Sequence, residues 1–219
     1  TDTFYEVDSD TYEAIITVEY ENAPAVGELV IEKKGEVLDA YKGGLFADSE
    51  DKEFVYKEGS LAGAKFEIYA AEDIYTADMQ TDENGNRNKY YAEGDLVATV
   101  VTGEDGKAKV SDLPLGKYRV VEVEAPYGYV LNKEEQYVTF VYVDDKTPVI
   151  RESLTFANDR QKVDLSVTKL DGETGLPVSG AEFGLYAAED IVNVDGKVIV
   201  ENDTLLEVVV SDANGDIQF

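Results

Sequence analysis

The sequence repeats itself, and that limits its architecture more than any other feature. GAKFEIYAAEDI, which begins at Gly63, returns as GAEFGLYAAEDI at Gly180, 117 positions later. A second pair returns at a different interval. VEYENAPAVGELVIEK ends at Lys33 and LTFANDRQKVDLSVTK ends at Lys169, so Asn22 matches Asn158 and Lys33 matches Lys169, both 136 positions apart. TFYEVDSD from Thr3 resembles TFVYVDDK from Thr139 at that same interval of 136. The two intervals differ by 19, which places an insertion in the first copy between Lys33 and Gly63. A period of this kind marks an array of similar domains. The expected division is residues 1–24 as the last two strands of a preceding unit, 25–160 as a complete unit with an insertion at about 35–60, and 161–219 as the first half of a following unit.

Within the complete unit, short runs of alternating apolar and polar residues recur between turn signals, the pattern of half-buried strands. They are Glu28–Lys33, Ala64–Ala70, Leu96–Thr102, Lys107–Val110, Lys117–Glu124, Gln136–Val143 and Ile150–Ala157. Glu104-Asp105-Gly106, Pro114-Leu115-Gly116 and Pro126-Tyr127-Gly128 supply turn chemistry between several of them. Seven short strands without a long helical period predict an all-β fold, an antiparallel β-sandwich repeated in tandem. YAAEDI is read as a single helical turn, and the insertion, with Gly43-Gly44 at its middle, as a hairpin or ordered flap.

Three strands end in the same unusual way. Leu29 and Ile31 share a face with Lys33; Tyr118 and Val120 share one with Glu122; Leu154 and Phe156 share one with Asn158. Two inward apolar residues are followed each time by a polar residue on the same face. The pattern returns at Lys169, after Leu165 and Val167, and at Asn22, after Val18 and Tyr20. One alternative is that each polar residue bends out to solvent at its strand end. Another is a buried Lys33–Glu122 salt bridge, which costs much and gains little. The chemical alternative is sharper. A desolvated lysine amine sheds its proton and becomes a nucleophile. Asn158 offers an amide carbonyl, and Glu122 in the same dry site is expected to stay protonated, polarise that carbonyl and pass a proton to departing ammonia. The product is a Lys33–Asn158 side-chain amide, made once per molecule without turnover.

Composition narrows the rivals. The chain has no Cys and no His, so disulfides, thiolate or imidazole metal sites and histidine-based nucleophilic triads are excluded, and no cofactor or metal is expected. With 47 acidic against 19 basic residues, its net charge of −28 repels nucleic acid and anionic membrane. DENGNRNKYYAE, from Asp82 to Glu93, partly imitates a calcium loop, but Arg87 stands where glycine is required and no helical segments flank it; an exposed turn is the preferred reading. No signal peptide, membrane span or sorting motif is visible in the sequence.

The segments LVIEK, LAGAKFEIY, LPLGKYRVVEVEAPYGYVL and LTFAN together resemble the Cna B-type or SpaA-type domains of Gram-positive surface proteins and pilins. The third resembles that family's E-box through Tyr118, Glu122, Ala125, Pro126, Gly128 and Tyr129. The resemblance implies a transthyretin-like (prealbumin-like) sandwich with a self-formed isopeptide bond, and it places the lysine at Lys33, the acceptor at Asn158 and the assisting acid at Glu122. It implies an extracellular, cell-wall-attached protein whose units act as a stalk or pilus shaft, with neighbouring repeats as partners, no membrane insertion in this segment and no turnover enzyme activity. The alternative is an adhesin module that binds a host protein or glycan through the insertion or the tyrosines near Tyr90-Tyr91. Lys169 has no E-box after it within the sequence and is expected to remain unbonded, its half-unit being poorly ordered, packed on the central unit or completed by another chain.

Overall fold

Strict alternation in the first strand sets the fold. Gly27, Leu29, Ile31, Lys33, Gly35 and Val37 are all buried while the residues between them are not, which is the period of a strand with one face on a core. The computed structural model describes residues 23–43 and 52–219, and among these it is all β with no helix. The sandwich is built from β1 (Val26–Lys42), β2 (Glu53–Ser60), β3 (Lys65–Ala70), β4 (Ile74–Tyr75), β5 (Lys89–Tyr91), β6 (Leu96–Val101), β7 (Lys107–Leu113), β8 (Gly116–Glu124), β9 (Gln136–Phe140) and β10 (Val149–Asn158). All seven strands expected from the pattern are present. The segment YAAEDI is not a helical turn: a bend at Ala71-Glu72 leads into the short strand β4, paired with β5.

One sheet runs β6-β3-β8-β9 and is antiparallel throughout. The other is centred on β1, with β10 on one side and both β7 and β2 also paired to it. The antiparallel expectation fails at one place. β1 and β10 run parallel, in register from Val26 opposite Val149 to Gly35 opposite Asn158. The first and last strands of the unit lie side by side because the intervening chain crosses to the second sheet and back, which is the connection a parallel pair requires. Between the sheets Leu29, Ile31, Phe66, Ile68, Tyr118, Val120 and Phe156 are buried, and the Phe66 and Phe156 rings meet across the gap at 4.9 Å. Beyond the sandwich β1 continues into the insertion, where Lys34–Lys42 pair antiparallel with Glu53–Ser60.

Residues after Ser166 form β11 (Ser166–Thr168), β12 (Glu182–Tyr186), β13 (Ile191–Val192), β14 (Val198–Val200), β15 (Leu205–Val210) and β16 (Asp216–Gln218). Their pairs are β11 with β16, β12 with β15 and β13 with β14. The hydrogen bonds around Lys33 recur here. Lys33 N–H donates to the Gly106 carbonyl at 2.8 Å and Lys169 N–H to the Gly215 carbonyl at 2.7 Å; Leu61 N–H donates to the Lys33 carbonyl and Val178 N–H to the Lys169 carbonyl, each at 3.0 Å. The buried hydroxyls of Thr102 and Ser211 each accept from an alanine N–H (Ala64 and Ala181) and donate to a carbonyl (Leu61 and Val178).

Gly106 carries part of this geometry. Its φ is +70°, and a Cβ there would lie 2.9 Å from the Lys33 carbonyl oxygen, so any side chain pushes on β1 at the lysine. Gly106→Ala is expected to lower unfolding stability by about 1–3 kcal/mol, combining left-handed strain with a backbone clash. Gly85→Ala, where φ is +82° and nothing lies within 4 Å, carries the strain alone and should cost less. Urea unfolding of the two variants measures the difference.

Candidate functional site

Each strand delivers one polar side chain to the same buried point. β1 brings Lys33, β10 beside it brings Asn158, and β8 in the facing sheet brings Glu122. All three come inward by the two-residue alternation that buries Leu29, Ile31, Tyr118, Val120 and Phe156. Lys33 is 0% exposed, Glu122 2% and Asn158 5%. None of them turns out to solvent at its strand end.

Lys33 Nζ donates to Asn158 Oδ1 at 2.5 Å and lies 3.2 Å from Glu122 Oε1. Asn158 Nδ2 donates to that same Glu122 Oε1 at 2.9 Å. One carboxylate oxygen therefore touches both the amine and the amide nitrogen. The sequence reading had the acid on the amide carbonyl; here Lys33 itself occupies that oxygen. Burial pushes the Lys33 amine below the ordinary lysine range, and the Glu122 carboxylate opposes the shift without cancelling it. The Phe66 ring, centred 5.8 Å from Nζ, and Phe156 wall the site on its apolar side.

Several supporting groups escaped the sequence reading. Asn132 N–H donates to Glu122 Oε2 at 3.2 Å, and its side-chain amide donates to the Ala157 carbonyl at 3.0 Å. One residue thus fixes the carboxylate and the backbone next to Asn158. It sits in the loop after β8, where no alternation signals a contact. Tyr129, part of the E-box resemblance, donates its hydroxyl to the Glu36 carbonyl at 2.7 Å and holds β1 just past the lysine. Gly35 leaves no room for a Cβ, which would meet Leu61 at 2.6 Å and the Asn158 carbonyl at 2.9 Å.

Lys169 occupies the equivalent backbone setting but a different environment. Its side chain is only partly covered, and its Nζ donates to the neighbouring Leu170 carbonyl at 3.1 Å. Asn22 lies outside the described residues. In the Asp82–Glu93 segment the Asp82 carboxylate accepts from Asn84 N–H, Asn86 N–H and the Asn86 side chain, as a tight polar turn does.

Residues 52–152 match the family model described as a SpaA prealbumin-like fold domain. That stretch of the chain is similar to a SpaA-type prealbumin-like domain. The matched stretch includes Glu122 and stops short of both Lys33 and Asn158. A trypsin-resistant surface T6 protein of Streptococcus pyogenes serotype M6 is 27% identical over 147 residues, covering 65% of this chain and 25% of that protein. Among solved structures, the Bacillus anthracis TIE protein is 26% identical with a TM-score of 0.53, over 89% of this chain and 26% of that one. GBS52, a minor pilin of Streptococcus agalactiae, is 21% identical with a TM-score of 0.37, over 64% of this chain and 46% of that one. The chain thus spans about a quarter of the length of the first two. The all-β fold of residues 52–152 agrees with their similarity to the SpaA prealbumin-like model. No helix among the described residues is long and apolar enough to cross a membrane.

The electrostatics of the site predict a pH dependence. In Glu122→Ala the Lys33 amine stays buried without its carboxylate. Its folded pKa is lowered from 10.5, so between that lowered value and 10.5 the unfolded chain binds more protons, and stability rises with pH. The slope should approach, at most, about 1.4 kcal/mol per pH unit. Chemical denaturation from pH 7 to 10 measures it, and adding Lys33→Met should flatten the curve.

Proposed function

We propose that this chain is a segment of a Gram-positive stalk or pilus shaft, built from tandem sandwich units and stapled by a self-formed amide between Lys33 and Asn158. The observation that carries the reading is the contact of one buried carboxylate oxygen with both the nucleophilic amine and the amide nitrogen that must leave. Neutral Lys33 Nζ attacks Asn158 Cγ. Glu122 relays the proton lost by Nζ to Nδ2, the Cγ–Nδ2 bond breaks, and ammonia departs. One C–N bond replaces another, with no oxidant, reductant or cofactor. Asn132 is a positioning residue, because it holds Glu122 and the acceptor strand together.

The recurrence of the Lys33–Gly106–Leu61 bonds at Lys169–Gly215–Val178 supports the tandem reading, with unit boundaries near residues 25 and 160. In that reading Asn158 stands eleven residues before Lys169, just as Asn22 stands eleven before Lys33. Tension then enters β1, crosses the staple and leaves through a short connector, sparing the 125-residue span between Lys33 and Asn158. By analogy with a disulfide closing such a loop, the staple adds about 5 kcal/mol through chain entropy, and unlike a disulfide it is not reducible. Extracellular, wall-attached placement is part of this proposal, and the name of the S. pyogenes relative, a trypsin-resistant surface protein, supports it.

Intact mass spectrometry tests the reading. The purified chain is expected to be lighter than its sequence mass by one ammonia, about 17 Da, because one amide nitrogen leaves per bond formed. Glu122→Ala and Lys33→Ala should each restore the full mass, remain folded, melt at lower temperature and be cut faster by trypsin. A parent chain of full sequence mass would leave the fold without this chemistry. A loss of two ammonia molecules would show that Lys169 reacts as well, against the single staple proposed.

A further inference from the structure

The inserted hairpin leaves β1 with an open edge. β10 ends opposite Gly35, so from Glu36 to Lys42 only β2 pairs with β1. An uncovered strand edge invites pairing with other chains unless something covers it. Here the turn between β13 and β14 does so. Val194 N–H donates to the Leu38 carbonyl and the Asn193 side-chain amide to the Asp39 carbonyl, both at 3.0 Å. The β1–β2 register slips between Leu38 and Ala40, and Asp39 is the extra residue. This bulge presents two successive carbonyls to the Asn193-Val194 turn. Lys52, just before β2, donates to the Leu205 carbonyl at 3.3 Å. Lys57 pairs with Asp39 at 2.6 Å, and Asp195 of the facing turn adds to the attraction that holds the Lys57 charge. In a chain of net charge −28 this places a cation where two acidic segments meet.

We infer that the paired strands Glu36–Lys42 and Glu53–Glu58 form a clasp between units: their outer edge grips the β13–β14 turn of the unit that follows and fixes the angle between them. The inference rests on reading the chain as tandem units. The copy that follows lacks the 19-residue insertion, so the clasp belongs to the junction after this unit and is not a feature of every unit, although the turn it grips has a counterpart here. At the interval of 117, Asn193-Val194 correspond to Thr76-Ala77, and Thr76 N–H closes its turn on Asn88 as Asn193 N–H does on Lys197. Thr76, Ala77 and Met79 line a cavity together with Ala23 and Val26, where the chain enters β1. The matching turn of the complete unit therefore faces the side from which a preceding unit comes. The partner assigned to the hairpin is the next copy of its own domain.

The absence of cysteine makes the test clean. Glu104→Cys and Glu173→Cys, both on exposed turns of the two segments, take spin labels in the full chain. Double electron–electron resonance should give one narrow distance peak. Val194→Pro removes the donor, yet proline suits the second position of the Asn193–Gly196 turn. It should abolish the narrow peak and leave a broad distribution. A second variant replaces Asp39–Val55 by Asn-Gly, closing the hairpin at the Leu38–Tyr56 pair, and should do the same. A broad distribution in the parent, or a narrow one retained in both variants, would overturn the clasp. Intact mass of the same samples reports the staple separately. A narrow peak without ammonia loss would keep the clasp and discard the staple, and ammonia loss with a broad peak would do the reverse.

Discussion

Everything in this domain is arranged around an amine that has been taken out of water. A charged lysine in an apolar core costs several kcal/mol unless it is paired, and pairing with a buried carboxylate recovers only part of that cost. Lys33 has no exposed surface, and burial lowers its pKa although Glu122 opposes the shift. Glycine at 35 and 106, the Asn132 and Tyr129 hydrogen bonds and the Phe66–Phe156 wall all act to hold strands and carboxylate close to that one nitrogen. As a permanent ion pair the arrangement would be a poor use of core volume. As the resting place of the proposed nucleophile beside its acceptor it would have a physical purpose, since forming an amide would remove the charge for good.

The parallel pairing of β1 and β10 would give the proposed amide a mechanical role. The chain enters the sandwich at the start of β1 and leaves at the end of β10, and the two strands lie in register over ten residue pairs. Pulling on those ends loads the ladder along its length, so its hydrogen bonds resist together. An amide between Lys33 and Asn158 would sit near the exit end of that ladder and carry the load covalently. The hairpin that prolongs β1 past this point then reaches the segment that follows. Staple and clasp would thus be consecutive parts of one strand: the first stiffens the unit, the second its junction.

Much of this was legible in the residues. Alternation in LVIEK, KYRVVEVE and LTFAN placed Lys33, Glu122 and Asn158 on inward faces because strand geometry has no freedom in which face a residue takes. It could not show that β1 and β10 are parallel, since pairing direction depends on how the whole chain returns. Nor could it show which atom of Asn158 meets Glu122, which is settled by side-chain rotation after the strands are in place. Asn132 was invisible because its contact arises in a loop, where neither period applies. The YAAEDI turn was misread because two alanines favour helix locally, while pairing of Ile74 with Tyr91 draws the chain into a strand. The hairpin was legible as a shape, but its engagement with residues 193–205 depends on a bulge at Asp39 that composition does not reveal.

The central claim is a covalent bond between two named side chains, and tandem mass spectrometry of a protease digest of the unaltered chain tests it most directly. The account predicts a branched peptide joining the fragment that contains Lys33 to the fragment that contains Asn158, lighter than the two fragments together by one ammonia, with no trypsin cleavage after Lys33 and with Lys169 recovered as a free amine. Recovery of Lys33 and Asn158 in separate, linear, full-mass peptides would contradict it.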